Sequence, residues 1–340
     1  KILLCNDDGY TSPGIKVLSN IMSAFGDITV VAPKYHQSAM STAVSLGLKK
    51  LVTKKIEPLG PGEWYYLDAT PASCVKFGLE YMYPDRNPDL VVSGINHGSN
   101  SATAVNYSAT MGCAEEAAIN GLKSIGVSLC DYRVGADFSA IEALLPGIIR
   151  KLLENWPEDR PGTYYNINFP KCPLGEIKGI RVSRTGHAHW IREFAEWDSS
   201  KLQYDGINDH AFWKKVDTPI EEGEKGYYMG GDFVNDDDDP ETADHLLNDA
   251  GNGDGVVFAV FLGKEQAHHE HTDAVCQGVP PAGDAGGKAV FGTAGGGGAA
   301  QPLAAGHAHD GEHAHARANK GIEDLVFRDA RMPMTMVRAK

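Results

Sequence analysis

The chain opens with an apolar run that stops abruptly at two acidic residues, in the segment Lys1-Ile-Leu-Leu-Cys-Asn-Asp-Asp-Gly9. Residues 1–5 are apolar on both faces, which is typical of a buried strand in a parallel sheet. Asp7 and Asp8 repel each other at the end of this strand, so a hard divalent cation with oxygen ligands is the usual reason for such a pair. In open α/β sheets, ligands bind beyond the carboxyl ends of the strands. Position and chemistry therefore both favour a metal site here.

Strand and helix patterns alternate through the first 180 residues. Apolar runs predict strands at residues 1–5, 28–32, 64–67, 90–93, 125–129 and 164–169. Amphipathic or small-residue patterns predict helices at 13–25, 71–83, 110–121 and 138–156, and weak alternation predicts a hairpin at 41–56. Strands separated by helices favour a parallel sheet covered on both faces. We predict an α/β fold with a Rossmann-like three-layer αβα core and a mainly parallel sheet over residues 1–180.

The pattern changes near residue 180. Residues 181–262 are rich in Trp, Tyr and charge, without a clean alternation of elements. Large aromatic residues concentrate at protein interfaces, so this segment is predicted to be an extended arm used in oligomerisation. Residues 263–340 are Gly-, Ala- and His-rich. Such a composition cannot bury enough apolar surface to offset chain entropy, which predicts a disordered tail.

Composition limits the partners and the compartment. The net charge of −14 disfavours a nucleic-acid polymer, which needs a basic face, but it is compatible with a small phosphate ester beside a bound cation. The six cysteines are scattered without a CxxC pair, which favours reduced thiols in the cytoplasm. No apolar run approaches the roughly 20 residues that a membrane span requires.

Three polar loops follow predicted strands. The first holds Asp7 and Asp8, and the other two are Pro33-Lys34-Tyr35-His36-Gln37-Ser38 and Ser93-Gly94-Ile95-Asn96-His97-Gly98-Ser99-Asn100. If their strands are neighbours, the loops share one edge of the sheet and offer carboxylate, hydroxyl and amide oxygens together. Such a set can bind a hard metal and leave positions for water and phosphate.

A fourth segment is a candidate for phosphate binding. Asn106-Tyr107-Ser108-Ala109-Thr110-Met111-Gly112 leads into the predicted helix at 110–121. A helix N-terminus carries unpaired N–H groups and a positive dipole end. Ser108 or Thr110 can donate to a phosphate oxygen there, or can simply cap the helix.

These segments together resemble the SurE family, the survival-protein phosphatases that act as metal-dependent 5′-nucleotidases. The matching text is ILLCNDDGYTSPGI, VVAPKYHQSA, ATPASCV, PDLVVSGINHGSN and NYSATMGCAEEA, with weaker matches at NINFP, RVSRTG and KGYYMGGDF. The resemblance covers residue 1 to about residue 262, and the ordered combination of NDDG, APxxxQS and SGINxGxN is specific to the family.

The resemblance implies a role for individual residues. The family's metal ligands fall on four side chains, Asp7, Asp8, Ser38 and Asn96, and three of these, Asp7, Asp8 and Asn96, are also the implied catalytic residues. The phosphate pocket falls on Ser108 and Thr110, while Gly9 and Gly98 allow close backbone approach. The family also implies one divalent cation per subunit, Mg²⁺ or Mn²⁺, and a homodimer or homotetramer.

Two alanines depart from the family pattern. Ala69 and Ala109 stand where the family usually has glycine. If either position needs positive φ, the substitution costs on the order of 1–2 kcal/mol. Because Ala109 lies near the proposed phosphate, a strained Ala109 would affect activity more than folding.

The predicted function is hydrolysis of nucleoside 5′-monophosphates to nucleoside and phosphate, with 3′-nucleotides and polyphosphate as further candidate substrates. Attack by a water molecule and direct attack by an aspartate both remain open. The alternative from another class is a non-catalytic nucleotide or polyphosphate sensor with the same fold.

Other phosphate-handling classes fit less well. A haloacid-dehalogenase phosphatase needs two aspartates separated by one residue, but Asn6 and Gly9 occupy the positions that would complete that spacing. A dinucleotide-binding GxGxxG and a P-loop are both absent after the first strand.

Overall fold

The structure is a computed structural model that describes residues 1–47, 50–85, 88–133, 135–157, 161–197, 219–229, 231–237, 244 and 256–262. Its helices are α1 (Pro13–Met22), α2 (Pro71–Phe77), α3 (Ala109–Ile119) and α4 (Ser139–Glu154). Its strands are β1 (Ile2–Cys5), β2 (Ile28–Pro33), β3 (Thr53–Ile56), β4 (Glu63–Leu67), β5 (Leu90–His97), β6 (Ser124–Leu129), β7 (Tyr164–Phe169), β8 (Gly179–Ser183), β9 (Ala188–Ile191), β10 (Phe194–Glu196), β11 (Tyr227–Met229), β12 (Asp232–Asn235) and β13 (Val256–Leu262).

The main sheet is mostly parallel, as predicted. Within the described residues it has nine strands in the order β3-β4-β2-β1-β5-β6-β7-β13-β8. The strand β1 pairs in parallel with β2 on one side and with β5 on the other. The antiparallel pairs are β3 with β4 and β13 with β7. Because β1, β2 and β5 are parallel neighbours, the loops after them meet at one edge of the sheet.

Helices cover both faces of this sheet, which confirms the three-layer αβα prediction. Successive residues of a strand point to opposite faces. Thus Leu4 belongs to a core cluster with apolar residues of α1 and α4, whereas Leu3 packs with those of α2 and α3. The apolar side chains on both faces of β1 are explained by these two cores.

Glycine lets the helix α1 approach the sheet closely. A Cβ atom on Gly14 would lie 2.0 Å from the carbonyl oxygen of Ile95 in β5. The first turn of α1 therefore presses against the residue that precedes Asn96. A larger residue than glycine at position 14 would therefore push α1 away from the end of β5 that carries Asn96.

Three local predictions differ from the structure. The hairpin predicted at 41–56 is wrong: among the described residues of that stretch only Thr53–Ile56 is a strand, and it pairs with β4. The strand predicted at 90–93 continues to His97, with an irregular register between Ser93 and Asn96. The helix predicted at 71–83 ends as an α-helix at Phe77 and continues as the π-helical turn Gly78–Met82.

The segment after residue 180 contributes to two kinds of structure. The strands β8 and β13 extend the main sheet, while β9 pairs with β12 and β10 pairs with β11 in two antiparallel ribbons. The division of the chain at residue 180 and the oligomerisation role of residues 181–262 stay predictions. The predicted tail at 263–340 lies outside the described residues.

Two further features concern membrane-spanning helices and the state of the cysteines. Within the described residues, no helix combines the length and the apolar character that crossing a membrane requires. The described cysteines carry free thiols: Cys5, Cys74, Cys113, Cys130 and Cys172.

Candidate active site

The carboxyl ends of β1 and β2 are joined by backbone hydrogen bonds. The N–H of Gln37 donates to the carbonyl oxygen of Asp7 at 2.7 Å. The N–H of Tyr10 donates to the carbonyl oxygen of Pro33 at 3.0 Å. Gly9 has φ of 96°, and a Cβ atom there would lie 3.5 Å from the backbone of Tyr35. The loop after β2 therefore lies directly against the acidic loop after β1.

Asp7 is a buried carboxylate that is held by a distant residue. It is 2% exposed, and its Oδ1 atom accepts a hydrogen bond of 2.6 Å from the hydroxyl of Thr110 in α3. Burial and the neighbouring charge of Asp8 raise the pKa of Asp7 to about 7. A cation at this point would therefore be favoured, because it stabilises the ionised form.

Asp8 is held at both of its carboxylate oxygens. Its Oδ1 atom lies 3.2 Å from Nδ1 of His36, and its Oδ2 atom accepts the backbone N–H of His97 at 3.3 Å. Burial lowers the pKa of His36, but the hydrogen bond to Asp8 and the charges of both aspartates outweigh it, so this pKa is raised. One carboxylate thus connects the loop after β2 with the carboxyl end of β5.

The amide of Asn96 is at the carboxyl end of β5, and the hydroxyl of Ser38 is in the loop after β2. Asn96 is 8% exposed, and its Nδ2 atom donates to the carbonyl oxygen of Gly98 at 3.0 Å, which fixes the orientation of the amide. Ser38 is exposed and directly follows Gln37, whose N–H is bonded to Asp7. All four implied metal ligands are therefore at one edge of the sheet, three in the loops after β1 and β2 and Asn96 in the last residues of β5.

The donor chemistry of this edge fits a hard cation. Two buried neighbouring carboxylates need a positive charge, and the buried Oδ1 atom of Asn6 has no hydrogen-bond partner among the described residues. The described residues contain no group of three or more His, Cys, Asp or Glu side chains placed to hold a metal ion. An ion here would therefore also use amide and hydroxyl oxygens, as Mg²⁺ does and thiolate- or imidazole-seeking metals do not.

The candidate phosphate residues are placed around the start of α3. Ser108 is the N-cap, and its side chain accepts the N–H of Met111 at 3.1 Å. The hydroxyl of Thr110 is directed to Asp7, as described above. Gly98 has φ of 126°, and its N–H donates to the carbonyl oxygen of Leu129 at 2.8 Å. The phosphate roles of these residues stay predictions, but the helix N-terminus itself is adjacent to Asp7.

The two alanines that depart from the family pattern are not strained. The described non-glycine residues with positive φ are Ala39, Ser41, Ala102 and Arg192. Ala69 and Ala109 are not among them; both are buried, and Ala109 is the first residue of α3. Neither alanine therefore has the positive φ that would make it less stable than glycine at that position.

A buried asparagine network supports the loop after β5. The N–H of Asn100 donates to Oδ1 of Asn168 at 2.8 Å, and its Nδ2 atom donates to the hydroxyl of Ser128 at 2.8 Å. The carbonyl oxygen of Asn100 accepts the Nδ2 atom of Asn166 at 2.6 Å. These bonds tie the loop to β6 and β7, so the network holds the chain that carries Asn96.

The contacts that hold the ligands in place were not predicted from the sequence. Asn6 was given no role, His36 was considered only as a minor candidate proton donor and not as a partner of Asp8, and Thr110 was assigned to phosphate without its bond to Asp7. The position of His36, two residues before Ser38 in a site loop, was the available signal. Thr110 and Asp7 are 103 residues apart in the chain, and no local pattern reports such a pair.

The fold and the site together define a class: an α/β protein with a Rossmann-like core and a carboxylate-centred, oxygen-rich site at the carboxyl edge of its sheet. A family model described as Survival protein SurE matches residues 2–192. The chain belongs to the SurE family.

Several relatives and one solved structure are similar over most of their length. The 5′-nucleotidase SurE of Cytophaga hutchinsonii is 43% identical over 213 residues, which cover 62% of this chain and 78% of the relative. The 5′-nucleotidase SurE of Christiangramia forsetii is 38% identical over 249 residues, which cover 73% of this chain and 86% of the relative. The crystal structure of the Sure protein from Aquifex aeolicus matches with a TM-score of 0.59 at 27% identity, covering 81% of this chain and 97% of that one.

Proposed function

We propose that this protein is a divalent-metal-dependent phosphoric monoester hydrolase that converts nucleoside 5′-monophosphates to nucleoside and phosphate. The observation that carries the proposal is the pair of buried carboxylates, Asp7 and Asp8, at the carboxyl edge of the sheet. Relatives named 5′-nucleotidase SurE, 38–43% identical to this chain, support the same activity.

Asp7, Asp8, Ser38 and Asn96 would hold one Mg²⁺ or Mn²⁺ ion per subunit. When bound, such an ion neutralises the charge of a phosphate ester and makes its phosphorus more electrophilic. The chain's own residues prepare the carboxylates for this task. Thr110 fixes the Oδ1 atom of Asp7, and His36 and the His97 backbone fix the two oxygens of Asp8.

The start of α3 provides the complementary end of the substrate site. Its first N–H groups and its dipole favour an anion close to Asp7. With the phosphate held there, Asp7 or Asp8 can orient an attacking water or attack directly. The burial of both side chains excludes bulk water and strengthens every charge interaction with the ester.

The test is phosphate release from a panel of 5′-nucleotides, 3′-nucleotides and polyphosphate, each with Mg²⁺, Mn²⁺ or EDTA. We expect metal-dependent release, with 5′-nucleotides preferred. Asp8→Asn should abolish it, whereas the control Asp27→Asn, at an exposed position at the opposite edge of the sheet, should not. Near-normal rates for Asp8→Asn in saturating Mn²⁺ would contradict the assignment.

No observation favours the non-catalytic sensor. That alternative depended on strain at Ala69 and Ala109, and neither residue has positive φ. The phosphate-release panel distinguishes the hydrolase from the sensor, because a sensor would bind nucleotide and metal without releasing phosphate.

The proposal also includes the oligomeric state of the protein and its location in the cell. The ribbons formed by β9 with β12 and by β10 with β11 support assembly of a homodimer or homotetramer through residues 181–262. Free thiols and the acidic net charge support a cytoplasmic protein that acts on small molecules rather than on nucleic-acid polymers or membranes. Light scattering coupled to size exclusion tests the oligomeric state.

A further inference from the structure

A cluster of three tyrosines and one lysine lies beside the acidic loop. The rings of Tyr10 and Tyr66 have centroids 5.2 Å apart. Nζ of Lys34 lies 5.1 Å from the ring centroid of Tyr35 and 5.5 Å from that of Tyr66. Both distances are within the range of cation–π contacts. We call these four residues, Tyr10, Lys34, Tyr35 and Tyr66, the tyrosine platform.

The platform adjoins the proposed site through the backbone. Tyr10 directly follows Gly9, and the backbone of Tyr35 lies 3.5 Å from where a Cβ atom of Gly9 would be. Tyr35 directly precedes His36 in the chain, and the Nδ1 atom of His36 lies 3.2 Å from the Oδ1 atom of Asp8. The platform residues Tyr10 and Tyr35 are thus next in the chain to residues that lie against the acidic loop, so the platform and the carboxylates belong to the same two neighbouring loops.

One ring of the platform is available to a ligand. Tyr35 is 54% exposed, whereas Tyr10 and Tyr66 are partly buried. The Lys34 ammonium contacts the Tyr35 ring, and an exposed aromatic ring is suited to stacking against a flat partner. The lysine also places a positive charge at this rim of a protein whose net charge is −14.

We infer that the tyrosine platform binds the base of a nucleoside monophosphate by stacking on Tyr35, while the phosphate group lies at the carboxylates. The inference rests on the proposed function, because that function requires a phosphate at Asp7 and Asp8. The strength of stacking depends more on the area of the base than on its hydrogen-bonding groups, so the platform favours purine over pyrimidine nucleotides.

Two 5′-phosphate esters isolate the contribution of the base. AMP and ribose 5-phosphate share the same phosphorylated sugar, and only AMP carries a base. Loss of a stacking contact worth about 1–3 kcal/mol corresponds to roughly 5- to 150-fold in affinity. We expect Tyr35→Ala to lower the ratio of kcat/KM for AMP to that for ribose 5-phosphate at least fivefold, and Tyr35→Phe to keep it.

Tyr81 provides the matched control. It is 76% exposed and stacks on Phe77 beyond the C-terminal end of α2, away from the carboxyl edge of the sheet. Tyr81→Ala should therefore leave the ratio at the wild-type value. An unchanged ratio in Tyr35→Ala, or an equal change in Tyr81→Ala, would overturn the inference.

Equilibrium binding of adenosine separates this inference from the proposed function. Adenosine has no phosphate ester, so its dissociation constant, measured by equilibrium dialysis in Mn²⁺, does not depend on turnover. If the protein releases no phosphate but binds adenosine more weakly as Tyr35→Ala, the hydrolase proposal fails and the platform stands. If wild-type protein and Tyr35→Ala bind adenosine equally, or neither binds it, the platform is refuted whatever the hydrolysis rates.

Discussion

The hydroxyl of Thr110 donates a 2.6 Å hydrogen bond to the Oδ1 atom of Asp7, across a separation of 103 residues in the chain. Both side chains are buried. This bond connects the N-terminal turn of α3 to the end of β1, and so joins the proposed phosphate end of the site to its carboxylates.

Removing this donor should destabilise the protein. In Thr110→Val the shape is kept but a buried carboxylate oxygen loses its partner, which costs about 1–3 kcal/mol of unfolding free energy. Thr110→Ser keeps the hydroxyl and should lose less. Urea unfolding at pH 8, followed by circular dichroism, measures both. Equal stability of the Val and Ser variants would show that the bond contributes nothing.

The stability of the metal-free protein should fall as pH rises. The pKa of Asp7 is raised to about 7 in the folded protein, above the ordinary value of 3.8 in the unfolded chain. Between these values the folded state binds more protons than the unfolded state, so the free energy of unfolding decreases with pH. Urea unfolding in EDTA from pH 4 to pH 8 tests this.

Asp7→Asn is the control for that pH dependence. It removes the titrating group, so its unfolding free energy should vary less with pH over the same range. Saturating Mn²⁺ should also oppose the decrease in the wild-type protein, because the ion favours the ionised carboxylate. A wild-type stability that rises between pH 4 and pH 7 in EDTA would contradict the raised pKa.

His36 should strengthen metal binding by orienting Asp8. Partners that hydrogen-bond a metal ligand typically contribute 10- to 100-fold in affinity. We expect His36→Ala to weaken Mn²⁺ binding about tenfold at pH 8.5, and His36→Asn, which keeps an N–H donor, to restore part of it. Electron paramagnetic resonance of free Mn²⁺ measures the affinity. His189→Ala, at the exposed position of strand β9, is the control, and unchanged or tighter binding by His36→Ala would oppose this role.

Restoring the family's glycine at Ala109 should not help. Ala109 is the first residue of α3 and its φ is not positive, so glycine gains no backbone relief and costs up to about 1 kcal/mol in helix propensity. We expect Ala109→Gly to be less stable in urea, with no gain in phosphate release. A more stable or more active glycine variant would show that Ala109 is strained after all.

The sequence predicted those parts of the fold that local pattern controls. Three strands, β1, β6 and β7, are apolar runs, and the helix α1 has one apolar face. Such patterns identify a buried strand or an amphipathic helix whichever residues pack against them in the fold. The continuation of β5 through Asn96 was not predicted, because its polar residues and its register shift after Ser93 hide the strand pattern.

Long-range pairing explains the remaining differences. The strand β13 joins β7 and β8 although it lies far from both in sequence, and only the completed sheet selects that position. For the site, the family motifs identified the loops that carry the oxygen donors. The bonds that hold those donors, from Thr110 to Asp7 and from His36 to Asp8, arise from tertiary packing and leave no local signature.

Anomalous diffraction at the manganese absorption edge, from a crystal soaked in Mn²⁺, locates the metal site. We expect one anomalous peak per subunit, in contact with oxygens of four side chains: Asp7, Asp8, Ser38 and Asn96. At saturating Mn²⁺, a map with no peak among these side chains, or with the ion held elsewhere in the protein, would contradict this assignment.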